Sequence, residues 1–314
     1  MNLKNLHVDF DFSIDTKSLE YQECIKLENP LYVRSMPPSC STRKFLNFVK
    51  KLYEKNDLSK VKPKSNNIPK IIHQIWFGGE YPSEYYQFKE SWLENHSSWK
   101  YFFWSEEDLK KEFRDGLYNQ NLFEQAKDVG NFARMADIAR YEILNRFGGL
   151  YVDCDCQCIK PFDILNECYD FYAGLENLAN GLVVGNAIFA SQPNHPIIQR
   201  CISNIKEYEN KNIDFKYWRG HSGYQKDIED EYALTLVTTG PILFLKSFWQ
   251  VEHEEYKKKI KDYKNIDIIF PPTYFYPFAE GQPTIVKPET FACHYFKGIW
   301  KKRLVSKYEK KEIK

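Results

Sequence analysis

The middle of the chain switches between strand-like and helix-like arrangements of apolar residues. IPKIIHQIWFGG is a short apolar run closed by two glycines and predicts a strand, and WKYFFW is aromatic enough for a second one. EYYQFKESWLEN, between them, has helical spacing. Ser105 then begins SEED, with Asp108 three residues later, which is an N-cap signal for another helix.

The strongest helical pattern covers residues 131–147 and leads directly into a motif rich in aspartate. Its apolar residues fall on one stripe: Phe132, Met135, Ala136, Ala139, Ile143 and Phe147. Gly148 and Gly149 can end this helix because glycine adopts left-handed conformations, and LYV starts a strand after them. Strands alternating with helices predict an α/β fold with a mixed sheet, in which ligands bind at the carboxyl ends of strands.

Composition narrows the class of protein. The chain has 314 residues, 43% of them hydrophobic, and a net charge of +1, so no overall field attracts nucleic acid. No apolar run approaches the roughly 18–20 residues of a membrane-spanning helix. Asp9 and Asp11 lie where a signal peptide would be apolar. We therefore expect a cytoplasmic protein whose eight cysteines are free thiols.

The motif YVDCDCQCIKPFD, residues 151–163, sets cysteines and aspartates in alternating positions. On a continuous strand, Cys154, Cys156 and Cys158 line one face, with Asp153 and Asp155 on the other. Alternate residues of a strand are about 6.6 Å apart. Three thiolates with this spacing cannot converge on one tetrahedral zinc ion unless the strand folds up. We therefore expect the cysteines to be buried as small apolar side chains.

The two aspartates of this motif indicate a different chemistry. A pair of carboxylates on one face is costly to bury unless a cation neutralises it. Two oxygen ligands at the end of a strand suit Mg²⁺ or Mn²⁺, with a diphosphate in the remaining positions. A surface pair of loop aspartates is the structural alternative. A phosphatase of the haloacid dehalogenase type is an enzymatic one, although Gln157 stands where such enzymes carry Thr or Val.

Asp137 and Arg140 lie three residues apart on the preceding helix, away from its apolar stripe. As an exposed ion pair they contribute less than about 1 kcal/mol. If the helix packs beside the aspartate motif, Asp137 can accept sugar hydroxyls and Arg140 can donate to sugar and phosphate. The two interpretations differ for Arg140→Lys. A surface pair predicts little change, and a site residue predicts lost turnover with almost unchanged stability.

ADIARYEILNRFGGLYVDCD resembles the signature of the DXD-containing sugar-binding region of family 32 glycosyltransferases. This family includes the yeast initiating mannosyltransferases and bacterial capsule and lipopolysaccharide enzymes, and clostridial glucosylating toxins share the region. IPKIIHQIWFGG is similar to the family's first strand, NAIFASQPNHPII and TTGP to later blocks, and CHYFKGIW to its C-terminal block. The resemblance implies a GT-A fold, with a Rossmann-like mixed sheet flanked by helices, over residues 67–303.

Two further segments complete the expected organisation. Residues 1–66 form a mostly helical extension, because STRKFLNFVKKLYEK has helical spacing before a polar linker. Residues 304–314 form a basic tail. The tail indicates either a solvated end or peripheral contact with the anionic inner face of a membrane.

The resemblance also implies roles for single residues. Asp137, Arg140, Asp153 and Asp155 are the expected catalytic residues. Trp76 is expected to stack on the nucleotide base and Trp300 to close over the phosphates. The expected donor-binding residues are Trp76, Asp137, Arg140, Asp153, Asn186 and Trp300. The expected metal ligands are Asp153, Asp155 and His294.

The implied function is the transfer of a hexose from a nucleotide sugar with retention at the anomeric carbon, and Mn²⁺ or Mg²⁺ is the implied cofactor. A UDP-hexose is the favoured donor, with GDP-mannose as the alternative. The expected acceptor is a saccharide or lipid-linked saccharide in surface polysaccharide or glycoconjugate synthesis. Two alternatives remain: a toxin-like transferase that modifies a protein, and a non-catalytic domain that binds sugar nucleotides.

Overall fold

The structure, a computed structural model, describes residues 42–64, 67–178, 181–209, 226–252, 265–277 and 286–298. Helix α1 (Thr42–Asn56) coincides with the helical pattern predicted near the end of the N-terminal extension. The remainder of that extension, Trp300 and the basic tail lie outside the described residues, so their predictions stay predictions. No helix in the described ranges has both the length and the apolar composition needed to cross a membrane.

The predicted alternation of strands and helices is confirmed. After α1, the first half of the domain contains β1 (Ile71–Ile75), α2 (Tyr86–Asn95), β2 (Lys100–Trp104), α3 (Glu106–Glu112), α4 (Gln120–Asp128), α5 (Phe132–Phe147) and β3 (Gly149–Val152). The second half contains β4 (Cys156–Cys158), α6 (Asp163–Cys168), β5 (Phe171–Leu178), β6 (Gly181–Ser191), α7 (Pro196–Lys206), α8 (Lys226–Thr238), α9 (Pro241–Glu252), β7 (Asp267–Phe270) and β8 (Ala292–His294).

Six of the strands form one mixed sheet in the order β2-β1-β3-β6-β5-β7. β1 pairs in parallel with β2 and β3, whereas β6 is antiparallel to both β3 and β5. β7 continues the sheet parallel to β5. β4 and β8 form a separate antiparallel pair. A mixed sheet flanked by helices is the architecture expected of the GT-A fold, and the predicted fold class is confirmed.

Helix α5 is buried on more sides than its apolar stripe predicts. It packs against α4, α7 and the strand β3 that follows it. Asp137, Arg140 and Glu142 are therefore buried along with the apolar residues. The side chain of Asn131 caps its first turn by accepting a hydrogen bond from the backbone N–H of Arg134. The predicted limits of the helix are confirmed to within one residue.

The aspartate motif does not lie on one continuous strand, and that prediction is wrong. β3 ends at Val152, and the chain turns through the next three residues, with the backbone N–H of Cys156 donating to the carbonyl oxygen of Asp153 at 3.1 Å. β4 then begins in the other sheet. Aspartate and cysteine thus alternate along the sequence even where the backbone forms a turn. As a result, Asp153 belongs to the end of the main sheet and Asp155 to the start of the small one.

The cysteines of the motif are buried, as predicted, but in two different places. Cys154 packs with Tyr85 and Phe88 in a small apolar cluster, whereas Cys156 and Cys158 belong to the main core. All six cysteines in the described part of the chain are free thiols. The expectation of free thiols is therefore confirmed for these six residues.

Strand β6 bulges beside the end of β3. Along β5, Ala173 pairs with Phe189, but the next residue, Gly174, pairs with Gly185. Residues 186–188 are therefore extra on the β6 side, and such bulges bend a strand and redirect its side chains. Asn186 lies in this bulge, and both its side chain and its carbonyl oxygen contact α5.

The junction between α5 and β3 depends on Gly148. Its φ of 62° and ψ of −162° lie in a region that is essentially restricted to glycine. A Cβ at this position would lie 2.7 Å from Cδ and 2.9 Å from the backbone nitrogen of Pro193. We predict that Gly148→Ala lowers the free energy of unfolding by about 3 kcal/mol or more, because backbone strain and overpacking add.

Gly79→Ala is the matched control for this prediction. Gly79 also has a positive φ, 109°, but a Cβ added there would have no neighbouring atom within 4 Å. Its replacement should therefore cost only the strain, about 1–3 kcal/mol. Denaturant unfolding of both variants gives the comparison. Equal losses in the two would show that contact with Pro193 does not matter.

Candidate active site

The guanidinium of Arg140 lies between two aspartates at the end of β3. Its Nη2 is 3.1 Å from Oδ1 of Asp137 and 3.3 Å from Oδ1 of Asp153. Its Nη1 donates to the carbonyl oxygen of Asn186 at 2.6 Å. The ring of Tyr151 lies 4.4 Å from the guanidinium carbon, close enough for a cation–π contact. Because the side chain of Arg140 is only 5% exposed, Asp137 and Arg140 are not a solvated surface pair.

Asp137 is held by Arg140 on its own helix and by two residues from later in the chain. Its Oδ1 accepts from the side-chain amide of Asn186 at 2.9 Å as well as from Arg140, and its Oδ2 accepts from the hydroxyl of Thr239 at 3.0 Å. Burial raises the pKa of Asp137 to about 6, against the opposing charge of Arg140. A carboxylate has about four acceptor positions, so Asp137 can still accept a hydroxyl from a ligand.

Asp153 contacts Arg140 with one oxygen only. Its Oδ1 also accepts from the hydroxyl of Tyr151 at 2.6 Å. Its Oδ2 has no hydrogen-bond partner among the described residues, and its side chain is 29% exposed. Burial raises the pKa of Asp153. The charge of Arg140 lowers this pKa and the charge of Asp155 raises it further, so that it lies above its ordinary value overall. Asp153 is therefore the most accessible carboxylate of the Arg140 group.

Asp155 faces the C-terminal block of the chain. Pairing of β4 with β8 brings His294 beside it, with Nε2 3.4 Å from Oδ1 of Asp155. The backbone N–H of Lys297 donates to its Oδ2 at 2.8 Å. Burial alone would raise the pKa of Asp155, but His294 and the Lys297 N–H lower it overall. Burial lowers the pKa of His294, and the Asp155 carboxylate more than reverses this, to about 9.

The groups around Asp155 fit a divalent ion. One ligand atom each from Asp155, Cys156 and His294 lies within 4.8 Å of the others. Nδ1 of His294 is buried and has no hydrogen-bond partner among the described residues. A carboxylate oxygen and an imidazole nitrogen are both ligands for Mn²⁺. The predicted set of Asp153, Asp155 and His294 stays a prediction, since Oδ1 of Asp153 is directed to Arg140.

Trp76 lies beside the aspartate motif. It packs on the small cluster that contains Cys154, and its ring makes edge-on contacts with Tyr81 at 5.3 Å and Tyr85 at 5.7 Å between centroids. Its indole N–H donates to the carbonyl oxygen of Gly79 at 3.0 Å. The structure thus brings Trp76 near the motif, and its predicted stacking on a base stays a prediction.

Several residues of the site had no role assigned from the sequence. Tyr151 and Thr239 contact the catalytic candidates directly, and both lie within motifs that already stood out, the aspartate motif and TTGP. Tyr276 and Glu176 have no such signal. A Cβ on Gly185 would lie 2.4 Å from the Tyr276 hydroxyl and 2.7 Å from Oε2 of Glu176, so only glycine fits beside this pair.

Residues 82–172 match the model of a protein family described as the glycosyltransferase sugar-binding region containing the DXD motif. The matched segment includes all four expected catalytic residues: Asp137, Arg140, Asp153 and Asp155. Over residues 82–172, this match confirms the resemblance to DXD-containing glycosyltransferases that the motifs indicate.

Among curated proteins, mannosyl phosphorylinositol ceramide synthase SUR1 of Saccharomyces cerevisiae is 32% identical over 190 residues, which are 60% of this chain and 43% of that protein. Inositol phosphoceramide mannosyltransferase 3 of Schizosaccharomyces pombe is 27% identical over 208 residues, 65% of this chain and 52% of that protein. The chain thus spans about half the length of these relatives. The solved structure of the PaToxG glycosyltransferase aligns with a TM-score of 0.44 at 16% identity, over 69% of this chain and 82% of that chain.

The burial of Arg140 changes what its replacement should do to stability. We predict that Arg140→Lys lowers the free energy of unfolding by about 2–4 kcal/mol, because an ammonium cannot reproduce the planar contacts to Asp137, Asp153 and Asn186. The sequence led us to expect almost unchanged stability, because a site residue was assumed to make its main contacts with the ligand and not with the protein. Denaturant unfolding measures the difference.

Arg146→Lys is the control on the same helix. Arg146 is exposed and contacts the rings of Phe113 and Phe147. Its replacement should cost less than about 1 kcal/mol. Similar unfolding curves for the two variants would mean that the fork of Arg140 does not hold its carboxylates together.

Proposed function

We propose that the chain is a glycosyltransferase that moves a hexose from a nucleotide sugar to an acceptor, with retention and with a divalent metal ion. One observation carries the proposal. The buried pair of Asp137 and Arg140, together with the partly exposed Asp153, lies directly beside the pair of Asp155 and His294, in a chain that has the DXD-containing region. Groups suited to a sugar and groups suited to a cation therefore meet at the carboxyl end of β3.

In this proposal, each group has a separate task. Asp155 and His294 would hold Mn²⁺ or Mg²⁺, which would supply positive charge opposite the nucleoside diphosphate leaving group. Asp137 accepts a hydroxyl of the donor sugar. The guanidinium of Arg140 carries five N–H groups, so it can donate to a ligand oxygen in addition to its contacts with protein. The exposed oxygen of Asp153 accepts a ribose hydroxyl.

The remaining donor-binding residues support these groups. Asn186 orients Asp137 and fixes Arg140, so its replacement would disturb both. Trp76 stacks on the base, where its neighbours Tyr81 and Tyr85 keep the indole ring in place. Trp300 closes over the phosphates. These assignments rest on the family resemblance together with the positions of Asn186 and Trp76 beside the motif.

The names of the relatives bear on donor and acceptor. One curated relative is named a mannosyl phosphorylinositol ceramide synthase and the other an inositol phosphoceramide mannosyltransferase, so both names specify mannose and an inositol-containing ceramide. We therefore place GDP-mannose first among the donors to be tested, with UDP-hexoses as the comparison. The proposed acceptor is a hydroxyl-rich ring, saccharide or inositol, attached to a lipid.

The proposal predicts that Asp155→Asn abolishes metal-dependent turnover. An amide cannot supply the charge that binds the ion, so we expect hydrolysis of the donor in Mn²⁺ to fall by at least about 100-fold. The measurement is release of nucleoside diphosphate from GDP-mannose and from UDP-hexoses, with and without Mn²⁺. Asp115→Asn, at an exposed position, is the control and should leave turnover unchanged.

Two results would contradict the proposal in different ways. Near-native turnover of Asp155→Asn in Mn²⁺ would show that the carboxylate of Asp155 does not bind the metal ion. Tight binding of a nucleotide sugar by the parent chain, with no hydrolysis and no transfer to any acceptor, would instead support the non-catalytic alternative.

A further inference from the structure

Cys156 lies between the two proposed ligands of the metal ion. It follows Asp155 in the chain and is the direct cross-strand partner of His294 in the small sheet. Side chains of directly opposed residues share one face and have Cβ atoms about 4.5–5.5 Å apart. The thiol is fully buried, and its sulfur lies within 4.8 Å of a ligand atom of each neighbour. The same position therefore offers an oxygen, a nitrogen and a sulfur ligand.

These three ligands suit a different class of ion from the one that the proposed reaction uses. Mg²⁺ and Mn²⁺ prefer oxygen, whereas thiolates select ions such as Zn²⁺. From this geometry we propose that Asp155, Cys156 and His294 form a site for a thiophilic divalent ion, Zn²⁺ or Cd²⁺, which overlaps the Mn²⁺ position. The bound ion replaces the thiol proton of Cys156 and the Nε2 proton of His294, and both protons pass to the buffer.

The distances fit a zinc site with three protein ligands and one open position. Tetrahedral Zn²⁺ with bonds of about 2.0–2.3 Å places its ligand atoms about 3.3–3.8 Å apart. Oδ1 of Asp155 and Nε2 of His294 are already 3.4 Å apart. The sulfur of Cys156 has to move by about 1.0–1.5 Å at most to reach a separation in this range.

The other two cysteines of the motif are directed elsewhere. The thiol of Cys154 contacts the carbonyl oxygen of Ile75 at 3.4 Å, and that of Cys158 contacts the carbonyl oxygen of Lys160 at 3.2 Å. A cluster of three cysteines therefore stays excluded, as the sequence predicts. A mixed site with one thiol is a separate arrangement, which arises because β8 comes to lie beside Cys156.

Binding of the thiophilic ion does not rest on the proposed function, because it can be measured without a donor. Only the effect of the ion on activity rests on the proposed function. Because both ions need Asp155 and His294, Zn²⁺ should displace Mn²⁺ and stop turnover. Absence of both donor hydrolysis and transfer to any acceptor would therefore contradict the proposed function and leave the metal-binding proposal intact.

The test is a titration of the metal-free full chain with CdCl₂, followed by the ultraviolet charge-transfer absorption of a thiolate–cadmium bond. ZnCl₂ affinity is measured in parallel by competition with a chromophoric chelator. We expect the cadmium absorption in the parent chain and in Cys158→Ala, and its loss in Cys156→Ala. Loss of even an outer-shell partner weakens metal binding about 10- to 100-fold, so Cys156→Ala should weaken Zn²⁺ binding by at least that factor.

A second measurement needs no variant. X-ray absorption at the zinc edge of the parent chain with one equivalent of ZnCl₂ should show one sulfur ligand, with nitrogen and oxygen as the others. A shell of nitrogen and oxygen alone, or one with two or more sulfurs, would overturn the proposal. So would unchanged cadmium absorption in a folded Cys156→Ala variant, or equal loss in Cys158→Ala.

Discussion

The position of one cation, the guanidinium of Arg140, organises this end of the sheet. Buried carboxylates are costly unless a cation and hydrogen bonds neutralise them. Asp137 belongs to α5, Asp153 follows β3, and Asn186 lies in the bulge of β6, yet all three contact Arg140. Replacing any of them leaves the others with unmatched charges or polar groups. Arg140 therefore links the helix to both strands at this end of the sheet.

Local patterns in the sequence predicted much of this arrangement. The period of α5 and its end at Gly148 depend on neighbouring residues only, so they could be predicted directly from the sequence. The spacing of Asp137 and Arg140 fixed their common direction on the helix. Their burial could not be derived in the same way, because it depends on α7 and on β6, which come later in the chain.

The aspartate motif shows where such reasoning stops. Its alternation of aspartate and cysteine continues through a turn, and nothing local distinguishes a turn from a continuing strand when the period is unchanged. The partner of β4 is β8, so the environment of Asp155 and Cys156 is set by residues near the other end of the chain. The family resemblance suggested His294 as a ligand, but the cross-strand position of Cys156 required the structure.

The pairing of β4 with β8 has a consequence for how the molecule is made. The side chains of Gln157 and Tyr295, which join the two strands, are 138 positions apart. Contacts of such long range close large loops and form slowly. Asp137, Arg140, Asp153 and Asn186 all precede β8 in the chain, so the ribosome produces them before it produces β8. The contacts of Asp155 with His294 and Lys297 can form only after the C-terminal block has emerged.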